Sequence, residues 1–231
     1  MSVLRSLLFY LLFYAGSVVF VISAVVALVF PRHISGKVPD TWSRFHRWCV
    51  VNVLGIAVKQ EGAPLGEPAL YAIKHESMFD AIDAPMLLHR PVPFAKAELF
   101  RIPGWGRAAR AYGAIPVERD QGAKALRTMI GEARRFVEEG RPLVIFPEGT
   151  RVPRGHVEPL RSGFAGLYKM LGLPVVPVAI DSGRTYRGMW KRPGTITIRF
   201  GEPIPPGLPR EDIEAQVQRE INVLNSAEIK G

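Results

Sequence analysis

The residues best suited to chemistry in this chain are His75 and Asp80, which are separated by four other residues. The apolar run Leu70–Ile73 comes just before them and predicts a short buried strand, and a predicted helix begins just after it. A histidine that contacts a carboxylate can act as a general base near neutral pH, because the carboxylate fixes its tautomer and stabilises the imidazolium. The pattern therefore predicts a general base at a strand-to-helix turn.

The same turn has a second interpretation, in which Asp80 has a structural role. Ser77 fits as the residue that begins the helix, and Asp80 then occupies the third helical position of a capping box. Such an aspartate satisfies backbone N–H groups and need not contact a histidine. The spacing alone is a weak signal, so the choice depends on the rest of the chain.

A second candidate site follows the apolar run at residues 143–146, another predicted strand. The next residues in the chain are Pro147, Glu148, Gly149, Thr150 and Arg151. In α/β proteins, ligands bind at the carboxyl ends of the strands. Gly149 would let the backbone approach a ligand closely, and Arg151 offers a planar guanidinium for a phosphate. A proline and a glycine at a strand end also make an ordinary turn, so both interpretations stay open.

Two further cations lie at the ends of predicted strands. Lys96 ends the predicted strand at residues 93–96, and Arg119 follows the predicted strand at residues 114–117. A lone lysine or arginine is usually a solvated surface charge. Three such cations in a chain with a histidine beside another strand predict a phosphate pocket next to a base.

Other classes of site find little support in the sequence. It contains no glycine-rich nucleotide loop, no zinc-like spacing of His and Cys, and no Gly-x-Ser-x-Gly nucleophile. We therefore expect neither a metal ion nor a cofactor, and we expect the substrate to supply a hydroxyl as the nucleophile. The single cysteine, Cys49, allows no intrachain disulfide and fits a reducing compartment. The net charge of +9 predicts anionic partners, and we favour phosphates or anionic lipid over nucleic acid.

The elements that must position these residues alternate along the chain, which predicts an α/β fold. The predicted strands are residues 58–61, 70–73, 93–96, 114–117, 143–146, 175–180 and 195–200. The predicted helices are residues 79–88, 104–111, 123–139, 163–171 and 210–225.

The N-terminal stretch predicts a membrane segment. Residues 6–31 contain no charged side chain, and as a helix of about 39 Å they would reach across a ~30 Å hydrocarbon core. The apolar part is too long for a signal peptide, so we expect it to be retained. The flanking residues Arg32, Lys37, Arg44 and Arg47 outweigh Asp40, which predicts that this side and the remaining chain face the cytoplasm.

Residues 42–58 predict a second helix, with aromatic or apolar residues at every third position. We expect this helix to be amphipathic and to lie in the membrane interface, with His46 as an interfacial polar residue. The alternative is a core helix of the soluble domain. We accordingly divide the chain into residues 1–57, with the membrane helix and the interfacial helix, and residues 58–231, the catalytic α/β domain.

Residues 183–193 contain a cluster of cations without an acidic residue, namely Arg184, Arg187, Lys191 and Arg192. Such a cluster is either a solvated loop or a contact with anionic headgroups.

Several blocks of sequence, taken in order, resemble the glycerolipid acyltransferases, the family that includes 1-acylglycerol-3-phosphate (lysophosphatidic acid) acyltransferase. The blocks are His75-x4-Asp80, Lys96-x-Glu98-Leu99 with Pro103 and Gly106, Gly113 to Arg119, Phe146-Pro147-Glu148-Gly149-Thr150-Arg151, and Val176-Pro177-Val178. The resemblance implies a mixed sheet flanked by helices and preceded by a membrane-anchoring helix pair.

By position, the resemblance implies that His75 is the catalytic base and Asp80 its orienting partner. It assigns the substrate phosphate to Lys96, Arg119, Glu148, Gly149, Thr150 and Arg151, with Arg151 foremost, and an acyl-donor or packing role to Val176, Pro177 and Val178. The chain departs from the family pattern at Lys74, Glu76 and Val152, where asparagine, glutamine and serine are frequent.

The implied activity is transfer of a fatty acyl group from acyl-CoA or acyl-carrier protein to the sn-2 hydroxyl of lysophosphatidic acid, which gives phosphatidic acid. The implied location is a membrane, with the catalytic domain on its cytoplasmic face (the inner membrane if the source is bacterial) and in contact with membrane lipids. One alternative is the same chemistry on glycerol 3-phosphate or a lyso-aminolipid. Another is a non-catalytic membrane protein that binds anionic lipid.

Overall fold

The computed structural model describes residues 2–30, 36–118 and 122–225, without the side chains of residues 122–125. Arg32 and Arg119, both used in the sequence predictions, lie outside the described residues.

Within the described residues, seven strands form one sheet in the order β1-β7-β6-β2-β5-β3-β4. They are β1 (Ile56–Glu61), β2 (Leu70–Ile73), β3 (Val92–Lys96), β4 (Ile115–Val117), β5 (Leu143–Ile145), β6 (Val175–Ile180) and β7 (Gly194–Phe200). The five strands from β2 to β6 run parallel, whereas β7 is antiparallel to β6 and parallel to β1. The sheet is therefore mixed, as expected.

The central strands are continuous apolar runs because both faces of the sheet are covered. Every residue of β2 and β6 is buried, which is typical of parallel strands between two helical layers. The edge strand β1 instead leaves three of its six residues exposed.

Two helical layers cover the sheet. The helices are α1 (Ser2–Ala27), α2 (Lys37–Trp48), α3 (Met78–Leu87), α4 (Trp105–Tyr112), α5 (Gly122–Glu138), α6 (Ser162–Leu171), α7 (Gly183–Tyr186) and α8 (Arg210–Ile221). Residues of α1, α3 and α7 share a core with one face of the sheet, and residues of α5, α6 and α8 share a second core with the other face.

The sequence predicted the strands and helices of the catalytic part within a few residues. The 3-10 turn Ala97–Arg101 and the short helix α7 were not predicted. Helix α8 ends at Ile221, earlier than the predicted end at residue 225.

Helix α1 has the length and the apolar composition of a membrane segment, but its bounds differ from the prediction. It begins at Ser2 and ends at Ala27, so it includes the charged residue Arg5, whose guanidinium lies 3.4 Å from the carbonyl oxygen of Leu54. One face of the helix, with Phe9 and Phe13, packs on the protein. Large apolar side chains on its other faces are exposed.

The second helix forms, but its predicted bounds, residues 42–58, were wrong. Helix α2 ends at Trp48, a π-helical turn follows at Cys49–Val53, and β1 begins at Ile56. Gly55 has a φ of +71° and separates the helical turn from the strand, since that conformation is easily reached only by glycine. The proposed domain boundary between residues 57 and 58 falls inside β1.

His46 is buried in the protein, which corrects its expected place in the membrane interface. Its Nε2 atom lies 2.8 Å from the hydroxyl of Tyr186, and burial lowers the pKa of the imidazole to about 3. Helix α2 thus packs on the catalytic part through one face. The interfacial position of its exposed face, which includes Arg44 and Trp48, stays a prediction.

Candidate active site

The carboxyl ends of five parallel strands bring the candidate residues to one edge of the sheet. His75 follows β2, Lys96 ends β3, Glu148 follows β5 and Ser182 follows β6. Arg119 comes two residues after β4 in the sequence and lies outside the described residues. Ligands bind at this edge in α/β sheets, so the described strands place these residues where a ligand could bind.

His75 and Asp80 are in contact at this edge. The Nδ1 atom of His75 lies 3.1 Å from Oδ2 of Asp80, and the side chains are 15% and 0% exposed. Because an ionised carboxylate only accepts hydrogen bonds, Nδ1 carries the proton and Nε2 is the basic nitrogen. The pair therefore has the geometry of an oriented general base.

Asp80 is also the third helical residue of the capping box of α3. The two interpretations of this turn from sequence are therefore both compatible with the structure. The Oδ2 atom of Asp80 accepts the backbone N–H groups of Glu76 and Ser77 at 2.7 and 2.8 Å. Ser77 in turn accepts the N–H of Phe79 with its side chain and begins helix α3. The helix N-terminus thus fixes the carboxylate that orients His75.

Ser182, which the sequence analysis did not identify, completes the surroundings of Asp80. Its buried hydroxyl donates to Oδ1 of Asp80 at 2.6 Å and lies 2.7 Å from the hydroxyl of Ser77. Since the Ser182 proton points to Asp80, Ser77 donates to Ser182. The position of Ser182 just after β6 was the available signal, because the other site residues also follow strands.

The loop after β5 holds the main chain of His75. The carboxylate of Glu148 accepts the backbone N–H of His75 at 3.2 Å, and the N–H of Val152 donates to the carbonyl oxygen of His75 at 2.7 Å. The ring of Phe146 stacks on the imidazole with centroids 4.3 Å apart. The parallel pairing of β2 with β5 brings this loop beside His75.

Glu148 is engaged inside the protein rather than exposed to a phosphate. Its Oε1 atom lies 2.5 Å from the ammonium of Lys74, and both side chains are almost completely buried. Desolvation raises the pKa of Glu148, and the hydrogen bond from Lys74 opposes this shift. The geometry therefore gives Glu148 the task of positioning His75, in place of the phosphate contact that we expected.

Glu76 is a buried carboxyl group beside this pair. Its Oε2 atom accepts the N–H of Gly183 at 2.7 Å, while Oε1 has no hydrogen-bond partner among the described residues. Desolvation raises its pKa to about 7, and the charge of Asp80 adds to the increase.

The remaining predicted phosphate ligands form an exposed rim around the buried residues. Lys96, Thr150 and Arg151 are exposed, and Gly149 is partly buried with a φ of +67°. The carbonyl oxygen of Arg151 accepts a hydrogen bond from Arg187 at 3.5 Å. The rim offers the cationic side chains of Lys96 and Arg151 to solvent at the same edge of the sheet as His75.

Comparison with known proteins identifies the family. Residues 55–181, more than half of the chain, match the family described as Acyltransferase. This chain belongs to the acyltransferase family. A protein of Pseudomonas aeruginosa named 1-acyl-sn-glycerol-3-phosphate acyltransferase is 30% identical over 204 residues, which are 86% of this chain and 79% of that protein.

The acyltransferase also resembles more distant proteins. The Homo sapiens 1-acyl-sn-glycerol-3-phosphate acyltransferase alpha is 29% identical over 71% of this chain, and the match spans 61% of the human protein's length. The crystal structure of the 1-acyl-sn-glycerophosphate acyltransferase of Thermotoga maritima has the same fold, with a TM-score of 0.78, 23% identity, and coverage of 98% of this chain and 97% of that chain.

The candidate site of this acyltransferase combines an oriented histidine with cationic side chains at the same edge of the sheet. Within residues 2–30, 36–118 and 122–225, no group of three His, Cys, Asp or Glu side chains could hold a metal ion. Nε2 of His75 can remove a proton from a hydroxyl, and the rim can bind an anionic group on the same molecule.

Proposed function

We propose that this acyltransferase moves a fatty acyl group from a thioester to the sn-2 hydroxyl of 1-acylglycerol 3-phosphate and so produces phosphatidic acid. The observation that carries the proposal is the contact of 3.1 Å between His75 and the buried carboxylate of Asp80. The exposed Arg151 lies in the loop that contacts His75. The names of the bacterial and human relatives support the same acceptor.

The proposed reaction needs no covalent intermediate on the protein. Nε2 of His75 accepts the proton of the acceptor hydroxyl while its oxygen attacks the carbonyl carbon of the thioester. The carbon–sulfur bond then breaks, and the leaving thiolate takes the proton from the imidazolium. Asp80 stabilises the imidazolium during this exchange. Neither a metal ion nor a cofactor is required, and acyl-CoA or acyl-carrier protein serves as the thioester substrate.

The acceptor phosphate is proposed to bind at the exposed rim. Arg151 can form two parallel hydrogen bonds with a phosphate, and Lys96 adds a second positive charge. Gly149 and Thr150 lie next to Arg151 and offer backbone N–H groups and a hydroxyl. Arg119 is proposed as a third cation because β4, which ends two residues before it in the sequence, ends at the same edge of the sheet.

The lipid nature of the acceptor and product fits an enzyme bound to a membrane. Helix α1 exposes an apolar surface along most of its length, and we propose that the catalytic domain lies on the cytoplasmic face of the membrane. We therefore propose that the enzyme takes its acceptor from the membrane and returns its product there.

An acceptor panel tests this function. The purified protein is mixed with acyl-CoA and, in separate reactions, with 1-acylglycerol 3-phosphate, glycerol 3-phosphate or a lyso-aminolipid, and the released thiol is measured. We expect the largest rate with 1-acylglycerol 3-phosphate, together with phosphatidic acid in the lipid extract. A larger rate with another acceptor would reassign the substrate, and thiol release that no acceptor increases would refute the proposed function.

A further inference from the structure

The segment between α7 and β7, residues 187–193 (here the basic loop), lies against the N-terminal part of helix α1. The Tyr10 hydroxyl donates to the carbonyl oxygen of Met189, and the N–H of Lys191 donates to the Ser6 hydroxyl at 2.9 Å. The apolar helix therefore fixes the main chain of the basic loop at two points.

Lys191 is not part of the cationic surface that the sequence suggested. Its side chain is buried, its ammonium donates to the carbonyl oxygens of Tyr186 and Gly188 at 2.5 and 3.0 Å, and it lies 4.2 Å from the centre of the Tyr186 ring. Burial lowers its pKa to about 8. The buried Lys191 side chain thus stabilises the conformation of the basic loop through contacts with the backbone.

The fold of the loop leaves two large apolar side chains in solvent. Met189 is 70% exposed and Trp190 is 44% exposed. The sequence analysis considered only the cations of this segment and overlooked these two residues. Leu7 and Tyr14, which lie about one turn before and one turn after Tyr10 on α1, are also more than half exposed, so the apolar surface continues from the helix onto the loop.

Cations lie beside this apolar surface. Arg187 and Arg192 are exposed, and the loop contains no acidic residue. Adjacent tryptophan and arginine side chains suit the boundary between headgroups and acyl chains, where apolar groups enter the lipid and cations contact phosphates.

We propose that the basic loop is a second membrane contact of this protein, in which Met189 and Trp190 enter the lipid and Arg187 and Arg192 bind anionic headgroups. The inference rests on the membrane association in the proposed function, and it adds a contact outside α1. Continuity with the apolar face of α1 and charge complementarity to anionic lipid select a bilayer as the occupant.

The loop also contacts the candidate site. One Nη atom of Arg187 lies 3.4 Å from the carbonyl oxygen of Glu76 and 3.5 Å from that of Arg151. A membrane contact at this loop would therefore place the phosphate-binding rim near the headgroups, where a lysophospholipid presents its phosphate.

A depth measurement tests the proposal without any need for turnover. Met189→Cys is labelled with a polarity-sensitive fluorophore in the full-length protein, and the protein is placed in vesicles of phosphatidylcholine with phosphatidylglycerol. Met170→Cys is the matched control, because Met170 is 40% exposed on α6, and α6 packs on the other face of the sheet. The native Cys49 is buried, and unsubstituted protein taken through the same labelling shows its background.

The loop should be inserted to a depth of ~5–10 Å, so lipids brominated near the headgroup end should quench the label at position 189. Its quenching by acrylamide in water should fall on addition of vesicles. The label at position 170 should show neither change. Equal acrylamide quenching at both positions, with no effect of brominated lipid, would overturn the proposal.

The arginine contacts have their own test. Quenching at position 189 should be stronger with phosphatidylglycerol than with phosphatidylcholine alone, and Arg192→Gln should reduce that difference. Equal quenching in the two lipid mixtures would refute the contact with anionic headgroups. Because the readout is depth and not acyl transfer, failure of this proposal and failure of the proposed function are separate results.

Discussion

The candidate base and the proposed phosphate ligands lie at one edge of the sheet but in opposite environments. The buried cluster consists of Glu76, Asp80, Glu148 and Ser182, which surround the partly exposed His75. The exposed rim consists of Lys96, Thr150 and Arg151. The cluster is arranged by the protein's own hydrogen bonds, whereas the exposed side chains of the rim are free to adjust when a substrate arrives.

The difference follows from the cost of burying polar groups. A buried carboxylate is tolerated when hydrogen bonds satisfy it, and its loss or mispairing is expensive. Asp80 accepts hydrogen bonds from three neighbouring residues besides His75. Substitutions in the cluster should therefore change turnover or stability, and substitutions in the rim should change only substrate binding.

The largest effect should come from His75→Ala. A general base contributes roughly 10²–10⁴-fold to turnover, so kcat should fall by that factor while the melting temperature stays near native. His89→Ala, at an exposed position just after α3, is the matched control and should keep full activity. Activity of the His75 variant within about threefold of native would mean that His75 is not the base.

Glu148→Gln should cause the largest loss of stability. The substitution leaves the buried ammonium of Lys74 without its counter-ion, which costs about 3–5 kcal/mol of unfolding free energy. Adding Lys74→Met should recover most of that loss, because the glutamine oxygen can still accept the N–H of His75. Denaturant unfolding of the single and double variants measures both effects.

The matched control for the Glu148 and Lys74 variants is an ion pair on the protein surface. Arg210 and Glu214 form an ion pair on the surface of α8, 2.9 Å apart, and Glu214→Gln should cost less than about 0.5 kcal/mol. Equal losses from Glu148→Gln and Glu214→Gln would show that the Lys74–Glu148 pair is solvated and does not support the cluster.

Glu76→Gln should stabilise the protein in a pH-dependent way. Burial raises the pKa of Glu76 from 4.5 to about 7 in the folded protein, so between these values the folded state keeps a proton that the unfolded chain releases. The stability from this group is complete below the unfolded pKa and is lost as the pH rises through 7. Glutamine does not titrate, so the variant does not lose this stability. Its free energy of unfolding relative to the native protein should therefore rise by on the order of 2 kcal/mol between about pH 5 and pH 8.

Melting curves over that pH range check the prediction for Glu76. The exposed Glu202 provides the control, because Glu202→Gln should show no comparable trend. If the difference in melting temperature between the Glu76 variant and the native protein did not change with pH, the carboxyl group of Glu76 would be hydrated and not buried as the structure indicates.

Arg151→Lys should have the smallest effect and should act on binding alone. Lysine keeps the charge but not the two parallel hydrogen bonds to a phosphate, so KM for the phosphorylated acceptor should rise roughly tenfold. The kcat, the KM for the thioester and the melting temperature should stay near native, as they should in Arg127→Lys on the exposed face of α5. A rise confined to the KM for the thioester would place Arg151 at the donor site.

The strands were predictable from sequence because their burial is local. Leu70–Ile73 and Val175–Ile180 are apolar runs without interruption, and a parallel sheet buries such runs on both faces. The contact between His75 and Asp80 was equally local, since both lie at one strand-to-helix turn. A signal of this kind needs no knowledge of the rest of the fold.

Other features depend on contacts between distant parts of the chain. Ser182 and Asp80 are 102 residues apart in the sequence, so no local sequence pattern could predict their contact. Glu148 and Arg151 share one sequence block, yet one is buried and the other exposed, because the loop turns between them. The predicted end of the second helix was wrong because the apolar spacing continued past Gly55, whose left-handed conformation ends the helical stretch.

The central claim is that the charge of Asp80 supports His75 as the base, and Asp80→Asn tests it most directly. The asparagine oxygen can still accept the N–H groups of Glu76 and Ser77, and its amide can donate to Ser182, so the helix cap should survive. The neutral amide cannot stabilise an imidazolium.

The decisive measurement is kcat and the melting temperature of Asp80→Asn on one preparation. The account predicts near-native melting with kcat lowered at least ~100-fold, because only the charge beside His75 is lost. Near-native melting with near-native kcat would contradict it, and it would leave Asp80 as a helix cap and His75 without a catalytic partner.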